Sequence, residues 1–374
     1  MRVPFVDLKA QYLSIKNEID SAIQNVINDT AFIKGKYVQK FEEEYAEIYG
    51  VNNVISCANG TDAIYIALKA LGISPGDEVI TVANSWISTS ETITQAGARV
   101  VFVDIDPDYY TIDTAKIEEK ITDRTKAIIP VHLYGHPVNM SEVISIAKKH
   151  NLKVIEDCAQ AHFAQWQGQN VGTFGDAGTF SFFPGKNLGA YGDAGCIVTN
   201  NDNLAEKMCQ FARHGALGKH DHEIEGINSR LDGLQAAILS VKLKYIHGWT
   251  NLRIQHAAKY TELLSPNENI VLPETLEDAK HVFHLYVIRS DNRDELQESL
   301  KENGISTGLH YPTALPYLKA YEYLGHFPDD FPVAYKYSRQ ILSLPMYAEL
   351  ESSTIKRISE ILSDFSLHRL THSK

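Results

Sequence analysis

The sequence predicts an α/β fold in which a mostly parallel central sheet is covered by helices, with a smaller C-terminal α+β lobe. Between about residues 50 and 200, short apolar runs of strand length alternate with amphipathic stretches of helical length, which is typical of parallel sheets. After residue 176 the alternation stops, and two apolar runs are joined by a glycine-rich stretch without a helix. The chain has 374 residues, which is long for one core and suits two unequal lobes.

The individual elements follow from the spacing of apolar residues, because strands need short apolar runs and helices need apolar positions three and four apart. Residues 1–245, with the N-terminal segment, are predicted to form a large ligand-binding domain, and residues 246–374 a small C-terminal domain. The predicted strands are 53–57, 78–82, 100–103, 127–133, 152–155, 179–183, 196–199 and 285–288, and the predicted helices are 60–71, 85–96, 141–150 and 231–244.

Composition and charge exclude several classes of protein. The formal net charge is −12, and an acidic chain without a basic stripe is a poor binder of nucleic acid. No apolar run reaches the ~18 residues that a membrane-spanning helix requires, and the N-terminus lacks the apolar core of a signal peptide. The four cysteines form no C-x-x-C pair. We therefore expect neither disulfides nor structural zinc, and a cytoplasmic protein.

Common cofactor and metal motifs are missing from the sequence. It has no G-x-G-x-x-G, H-E-x-x-H or G-x-S-x-G. The Gly185-Lys186-Asn187 stretch differs from the end of a P-loop, because Asn187 stands where Ser or Thr would hold magnesium. Residues 220–223 (His-Asp-His-Glu) have metal-ligating side chains, but such residues also suit an exposed loop. We expect no metal site there.

The segment Asn59-Gly60-Thr61-Asp62-Ala63 lies between a predicted strand and a predicted helix. The start of a helix presents unpaired N–H groups and a partial positive charge, and Gly60 allows close approach, which suits a phosphate. The same residue types also form ordinary helix caps. From these residues alone, both interpretations stay open.

Glu156 and Asp157 follow directly on a predicted strand. Ligands of open α/β sheets lie at the carboxyl ends of strands, and a buried carboxylate there needs a partner. A protonated pyridine nitrogen would be such a partner, and so would an arginine or a helix N-terminus. Because side chains alternate along a strand, only one of the two carboxylates can face the site.

Lys186 lies in the glycine-rich stretch 179–195, after an apolar strand. A lysine in such a loop is usually solvated. Here three glycines follow it, which predicts a tightly packed loop beside a pocket. A lysine shielded in this way can form a Schiff base with an aldehyde cofactor.

A phosphate cradle, an acid for a ring nitrogen and then a lysine occur in the order found in fold-type I pyridoxal 5′-phosphate (PLP) enzymes. The sequence resembles the DegT/DnrJ/EryC1/StrS family of nucleotide-sugar aminotransferases along nearly the whole chain, which implies that fold. The segments that carry the resemblance are Pro4-Phe5-Val6-Asp7-Leu8, Asn59-Gly60-Thr61-Asp62-Ala63, Glu156-Asp157-Cys158-Ala159-Gln160, Ser181-Phe182-Phe183-Pro184-Gly185-Lys186-Asn187, Gly226-Ile227-Asn228-Ser229-Arg230-Leu231-Asp232 and His310-Tyr311-Pro312.

The resemblance implies a role for each matching residue. Lys186 would hold PLP covalently and move a proton during catalysis, and Asp157 would keep the pyridine nitrogen protonated. The other implied cofactor contacts are Trp86 and Ala159 on the two faces of the ring, Gln160 at the phenolic oxygen, Gly60, Thr61 and Ser181 at the phosphate, and Asn228 at the phosphate of a second subunit. The implied sugar contacts are Arg230, His310 and Tyr311.

The resemblance also implies a homodimer with shared active sites. It further implies that the enzyme transfers an amino group to a nucleotide-linked keto sugar, with L-glutamate, the usual donor in this family, as the source. Family members that act as dehydratases carry His where this chain has Lys186, which favours transamination. The loop after Lys186 is similar to that of the family branch that aminates C3 rather than C4. Arg230 and the His310-Tyr311 pair are similar to residues of enzymes that act on a UDP-linked 3-keto 2-acetamido uronic acid. Such products enter lipopolysaccharide O-antigens and other surface glycans.

Several alternatives stay open. A dTDP-linked 3-keto-6-deoxyhexose or a 4-keto sugar is the alternative substrate. Another PLP reaction, such as desulfuration, would need a mobile catalytic cysteine, and none of the four cysteines lies in an obvious flexible loop. A non-catalytic PLP-binding regulator usually carries a fused DNA-binding segment, and this acidic sequence has no basic patch.

Overall fold

The structure, a computed structural model, describes residues 2–372. The helices are α1 Leu8–Ser14, α2 Lys16–Asn28, α3 Lys36–Tyr49, α4 Gly60–Ala70, α5 Ser88–Gln95, α6 Met140–His150, α7 Asp202–Ala212, α8 Gly233–Leu243, α9 Ile246–Leu264, α10 Arg293–Glu302, α11 Pro332–Tyr337 and α12 Ser352–His372. The strands are β1 Asn53–Cys57, β2 Glu78–Val82, β3 Arg99–Val103, β4 Thr125–Ile129, β5 Lys153–Asp157, β6 Gln165–Trp166, β7 Gln169–Asn170, β8 Ala177–Ser181, β9 Gly195–Thr199, β10 Ala279–Lys280, β11 Tyr286–Arg289 and β12 Ile341–Leu344.

Seven strands form the central sheet, in the order β1-β9-β8-β5-β4-β2-β3. Six of them run in one direction, and β9 is antiparallel to both of its neighbours, β1 and β8. The predicted α/β fold with a mostly parallel sheet is therefore confirmed. Because β1, β5 and β8 point the same way, their carboxyl ends meet at one edge, where open α/β sheets bind ligands.

The strands are short apolar runs because helices cover both faces of the sheet. Every residue of β2 and β9 is buried. The predicted strand over 127–133 instead ends at Ile129, because Pro130 has no N–H group for a strand ladder. The predicted helix over 85–96 begins only at Ser88. Three N-terminal helices, α1 to α3, are additional to the predicted elements.

The C-terminal part of the chain builds its own apolar core around β11 and β12, with Tyr260 and Tyr286 stacked at its centre. Helix α9 begins directly after the predicted boundary at residue 245, and its first residue, Ile246, packs into the core beside the central sheet. The division into 1–245 and 246–374 stays a prediction.

The N-terminal segment is tied to the C-terminal part of the chain. The Val3 N–H donates to the Gly304 carbonyl at 2.9 Å, and the Ser306 N–H donates to the Val3 carbonyl at 3.0 Å. Phe5 follows in the same segment and stacks on His310, with ring centroids 5.6 Å apart. The N-terminal segment therefore packs against residues 304–310 of the C-terminal part of the chain.

The structure also bears on membranes and on cysteine pairing. Among the helices within residues 2–372, none combines the length and the apolar content needed to cross a membrane. Cys57, Cys158 and Cys196 are buried as free thiols, and Cys209 is free and partly buried.

Candidate active site

A cavity of about 420 Å³ lies at the carboxyl edge of the central sheet. The structure brings ten of the twelve predicted site residues to its wall, while Asn228 and Arg230 do not line it. The ten are Gly60, Thr61, Trp86, Asp157, Ala159, Gln160, Ser181, Lys186, His310 and Tyr311.

Lys186 reaches the cavity from a tight loop that follows β8. The backbone N–H of Lys186 donates to the Phe183 carbonyl at 2.8 Å. Gly189 must be glycine, because a Cβ atom there would lie 2.3 Å from the Pro184 carbonyl oxygen. From behind, the buried Lys242 donates from Nζ to the Gly189 carbonyl at 2.6 Å. The loop is thus held in one shape, which fixes where Lys186 enters.

The electrostatic environment makes Lys186 an unusually reactive amine. Burial lowers the pKa of Lys186 from 10.5 to about 8, and the negative charge of Asp157 opposes part of that shift. A lysine with this pKa is partly neutral near pH 8, and the neutral amine is the nucleophilic form. The predicted packed loop beside a pocket is therefore what the structure shows.

Asp157 is the last residue of β5 and faces the cavity with its carboxylate held on both oxygens. Thr89 donates from Oγ1 to Oδ2 at 2.7 Å, and the Ala159 N–H donates to Oδ1 at 3.1 Å. Ser85 Oγ lies 3.2 Å from Thr89 Oγ1 and continues the hydrogen-bond chain. These contacts orient the carboxylate and leave it beside the Lys186 amine.

Glu156 points to the opposite side of β5, as strand alternation requires, and is completely buried. Its carboxylate accepts four hydrogen bonds, three from backbone N–H groups and one from His132 Nε2 at 3.1 Å. His132 donates because its Nδ1 already accepts the Val138 N–H at 3.0 Å. His132, Glu156 and Cys158 lie close enough together to hold a metal, but the oxygens of Glu156 are already used by donors, so the cluster is structural.

The start of α4 lies where a phosphate cradle is predicted. Asn59 Oδ1 caps the helix by accepting the Asp62 N–H at 2.8 Å. Within residues 2–372, the N–H groups of Gly60 and Thr61 have no hydrogen-bond acceptor in the chain, as is normal for a first helical turn. Ser181 packs directly on this turn, since a Cβ atom at Gly60 would lie 2.6 Å from the Ser181 Cβ. The free N–H groups of Gly60 and Thr61 and the hydroxyl of Ser181 therefore lie around one small space.

Trp86, Gln160 and Tyr311 line another part of the cavity. The rings of Trp86 and Tyr311 are 5.6 Å apart and tilted by 45°. Gln160 accepts the Tyr134 N–H through Oε1 at 2.7 Å, which turns its amide nitrogen toward the Tyr311 hydroxyl at 3.0 Å. The amide group of Gln160 is thereby oriented with one N–H left for a ligand.

Asn228 and Arg230 lie outside the cavity. Asn228 is exposed, Arg230 is partly exposed, and Asn228 pairs through its backbone with Arg213. Between them, Ser229 points inward, where its Oγ donates to Asp62 Oδ2 at 2.6 Å and accepts the Ala58 N–H at 3.0 Å. This chain therefore uses Ser229 to brace its own cradle and leaves the two neighbouring side chains at the surface.

Sequence reasoning missed Ser88, Thr89 and Ser229 as parts of the site. Ser88 Oγ lies 2.7 Å from Thr61 Oγ1, and Thr89 holds Asp157. A signal was present, because the hydroxyl-rich stretch 85–90 follows the carboxyl end of β2, at the same sheet edge as Asp157. For Ser229 no comparable signal exists, since its partners are far away in the sequence.

Comparison with known proteins gives matches over nearly the whole chain. The model of the DegT/DnrJ/EryC1/StrS aminotransferase family matches residues 13–363. A protein of Geobacillus stearothermophilus named "Pleiotropic regulatory protein" is 47% identical over 370 residues, which cover 98% of this chain and 100% of that protein.

Two further relatives have names that state a nucleotide sugar. The UDP-2-acetamido-2-deoxy-3-oxo-D-glucuronate aminotransferase of Pseudomonas aeruginosa is 42% identical, over 97% of this chain and 100% of its own length. The dTDP-3-amino-3,6-dideoxy-alpha-D-galactopyranose transaminase of Aneurinibacillus thermoaerophilus is also 42% identical, over 97% and 99%. The crystal structure of DesV from S. venezuelae matches with a TM-score of 0.96 at 38% identity and covers 98% of both chains.

Because Glu156 and Asp157 face opposite sides of β5, their amide variants should lower stability by different amounts. Glu156→Gln should lower the free energy of unfolding by on the order of 3 kcal/mol, because its new NH₂ group must face N–H donors. Asp157→Asn should cost about 1 kcal/mol or less, because one oxygen still accepts from Ala159 and Thr89 Oγ1 can accept from the amide. Urea denaturation of the cofactor-free variants measures both free energies of unfolding. Equal losses in the two variants would contradict the assignment of Glu156 and Asp157 to opposite sides of β5.

Proposed function

We infer that this chain, which belongs to the DegT/DnrJ/EryC1/StrS aminotransferase family, moves an amino group from L-glutamate to the keto group of a nucleotide-linked sugar. It is a sugar aminotransferase, and PLP is its cofactor. The observation that carries the proposal is the presence of Lys186 and Asp157 in one cavity with the free N–H groups of α4. An amine, an acid and an anion cradle are the three contacts that this cofactor needs.

The residues present fit PLP. The unpaired N–H groups of Gly60 and Thr61, with the Ser181 hydroxyl, suit its phosphate. The doubly held carboxylate of Asp157 suits a protonated ring nitrogen. When bound, the cofactor supplies an electron sink for the carbon that carries the amino group.

We assign the remaining roles to side chains on the cavity wall. Lys186 Nζ, in its neutral form, takes the proton from the donor's Cα and returns it later in the cycle, and its lowered pKa of about 8 makes that form accessible. The free amide N–H of Gln160 would donate to the phenolic oxygen of the cofactor, and Trp86 and Ala159, which line the same cavity, would contact the two faces of its ring. The negative charge of Asp157 would keep the ring nitrogen protonated.

The proposed reaction is a transamination in two halves. Glutamate leaves its amino group on the enzyme and departs as 2-oxoglutarate, and the keto sugar then takes that amino group up. The family resemblance supports transamination over dehydration, because this chain has Lys186 where the dehydratases carry His.

We propose amination at C3 of a UDP-linked 2-acetamido uronic acid. The loop after Lys186 and the residues Arg230, His310 and Tyr311 support this substrate, and so does the name of the Pseudomonas aeruginosa relative. A dTDP-linked 3-keto-6-deoxyhexose is the alternative, favoured by the equally similar Aneurinibacillus thermoaerophilus relative. Both names place the amino or keto group at C3. The product would enter a surface glycan such as an O-antigen.

A second candidate function is a non-catalytic PLP-binding regulator, which the name of the Geobacillus stearothermophilus relative favours. The lowered pKa of Lys186 does not separate the two functions, because covalent binding of the cofactor also needs a neutral amine. The relatives named as aminotransferases, at 42% identity over 97% of this chain, support the catalytic function.

We propose that the chain works as a homodimer in which Asn228 and Arg230 complete the partner's site. Both side chains are accessible, and exposed apolar side chains occur at residues 217 and 224, shortly before them in the sequence, and at residues 32 and 33. The backbone of Ile33 pairs with that of Asp232, two positions after Arg230. The apolar side chains are Phe32, Ile33, Leu217 and Ile224. A second copy covering them would account for their exposure in one chain.

Cofactor-free protein should capture PLP faster as the pH rises, with the half-maximal rate near pH 8 and a plateau about one pH unit higher, because only the neutral amine attacks and the pKa of Lys186 is lowered to about 8. Stopped-flow absorbance measures this rate. After borohydride reduction, peptide mass spectrometry should find the pyridoxyl group on Lys186. Lys242 is the internal control, since its pKa is also lowered to about 8 but it lies outside the cavity. A rate that still climbs toward about pH 10, or a label on Lys242, would contradict the assignment.

Glutamate alone should bleach the long-wavelength absorbance of the PLP-loaded enzyme and release 2-oxoglutarate, and the UDP-linked 3-keto uronic acid should restore the absorbance. Asp157→Asn should slow both halves by on the order of 10²-fold or more, because a neutral amide cannot hold the ring nitrogen protonated. Absence of bleaching in the native protein would favour the regulator instead. Faster recovery with the dTDP-linked sugar would reverse the choice of nucleotide.

Activity should return when two inactive variants are mixed in one dimer. Lys186→Ala and the double variant Asn228→Ala/Arg230→Ala are each expected to be nearly inactive alone. If the sites are shared, a mixed dimer has one site with both defects and one with neither, so it should reach up to half of the wild-type activity.

The measurement is turnover by tagged heterodimers purified after co-expression. A verified heterodimer without recovered activity would show that Asn228 and Arg230 do not complete the partner's site. That outcome would leave the chemistry of Lys186 untouched.

A further inference from the structure

His310 is held on three sides by groups of its own chain. Its Nδ1 lies 2.8 Å from Ser343 Oγ, and its ring stacks on Phe5 at 5.6 Å. Gly308 passes so close that a Cβ atom there would lie 2.6 Å from the His310 Cε1. Because His310 also lines the cavity, the ring nitrogen left for a ligand is Nε2.

Ser343 decides which ring nitrogen carries the hydrogen. It is completely buried in β12, where its backbone N–H donates to the Gly308 carbonyl at 2.8 Å. Among residues 2–372, the only hydrogen-bond partner of its hydroxyl is His310 Nδ1. If Nδ1 carried the hydrogen, the buried Ser343 hydroxyl would have no acceptor, which is unfavourable. The hydroxyl therefore donates to Nδ1, and the hydrogen of a neutral ring lies on Nε2.

The ring is neutral at ordinary pH. Burial, together with a smaller effect of the positive charge of Lys186, lowers the pKa of His310 to about 4. The imidazole thus carries a single N–H group throughout the range in which Lys186 titrates.

We propose that Ser343 is a positioning residue that fixes His310 with its hydrogen on Nε2, so that His310 donates a hydrogen bond to an oxygen of the nucleotide-linked keto sugar. The choice of the sugar rests on the function proposed above, whereas the position of the hydrogen does not.

Tyr311 offers a parallel donor next to His310. Gln160 turns its amide nitrogen toward the Tyr311 oxygen, which must accept, so the hydroxyl hydrogen of Tyr311 is left to donate. Two neutral donors on consecutive residues match a group that carries oxygen acceptors, such as the hydroxyl and carboxylate oxygens of a uronic acid. They do not match an ammonium group, which can only donate.

Neutron diffraction from deuterated, PLP-loaded protein tests the assignment directly. We expect deuterium on Nε2 of His310, and the deuterium of the Ser343 hydroxyl pointing at Nδ1. Deuterium on Nδ1 would overturn the proposal whatever the substrate is, and it would do so even if no nucleotide sugar were a substrate.

Kinetics of the two separate half-reactions test the link to the sugar. Ser343→Ala should raise the half-saturating concentration of the keto sugar about tenfold with the rate at saturation nearly unchanged, because the ring loses its fixed hydrogen position. In the glutamate half-reaction, both the half-saturating concentration and the rate at saturation should stay within about twofold of the wild type, a change smaller than the loss of one hydrogen bond would cause. Ser343→Thr keeps the hydroxyl and should restore most of the sugar affinity.

Ser359→Ala is the matched control, because this buried serine of α12 bonds only to its own helix, at the Ile355 carbonyl. It should leave both half-reactions unchanged. An equal effect of Ser343→Ala on glutamate and sugar would overturn the role in sugar binding, and so would an equal effect of Ser359→Ala. If the native enzyme aminates no nucleotide sugar at all, the proposed function fails, and the position of the deuterium still decides the role of Ser343.

Discussion

The carboxylate of Glu156 is the interaction on which the rest of the site depends. It joins the end of β5 to the turn before β8 and to His132, through four donors and without any contact to the cavity. The turn comes so close that Gly172 and Gly178 cannot carry side chains, since a Cβ atom at Gly178 would lie 2.4 Å from the Gly172 Cα. With Glu156 locked on one side of the strand, Asp157 has to face the other, where the chemistry takes place.

The second constraint is the scarcity of positive charge around Lys186. The charge of Lys186 acts on three histidines whose pKa values are lowered mainly by burial: those of His162 and His310 to about 4, and that of His284 well below its usual value. Neutral imidazoles supply hydrogen bonds without adding cations. Asp157, an anion, is therefore the charged group with the largest effect on the pKa of Lys186. Desolvation outweighs it and keeps that pKa near 8.

Local patterns in the sequence were enough for the parallel sheet, the helix start at Gly60 and the Lys186 loop, because each depends on neighbours in the chain. The orientation of Asp157 was open from the residues alone and needed the partners of Glu156, which come from another turn. Thr89, Ser229 and Ser343 were missed for the same reason: each acts on a residue at least 33 positions away, with the nearest such pair being His310 and Ser343. The roles proposed for Asn228 and Arg230 require a second chain, which a single chain does not display.

The anchoring of residues 3–5 sets the order in which the site can be completed during synthesis. Val3 and Phe5 meet Gly304 and His310 across about three hundred residues of intervening chain. The ribosome releases the N-terminal segment early, but its docking surface is made late. The start of α4 and Asp157 can therefore fold around the central sheet before the cavity wall that carries His310 exists. The backbone of the N-terminal segment must stay unpaired until then.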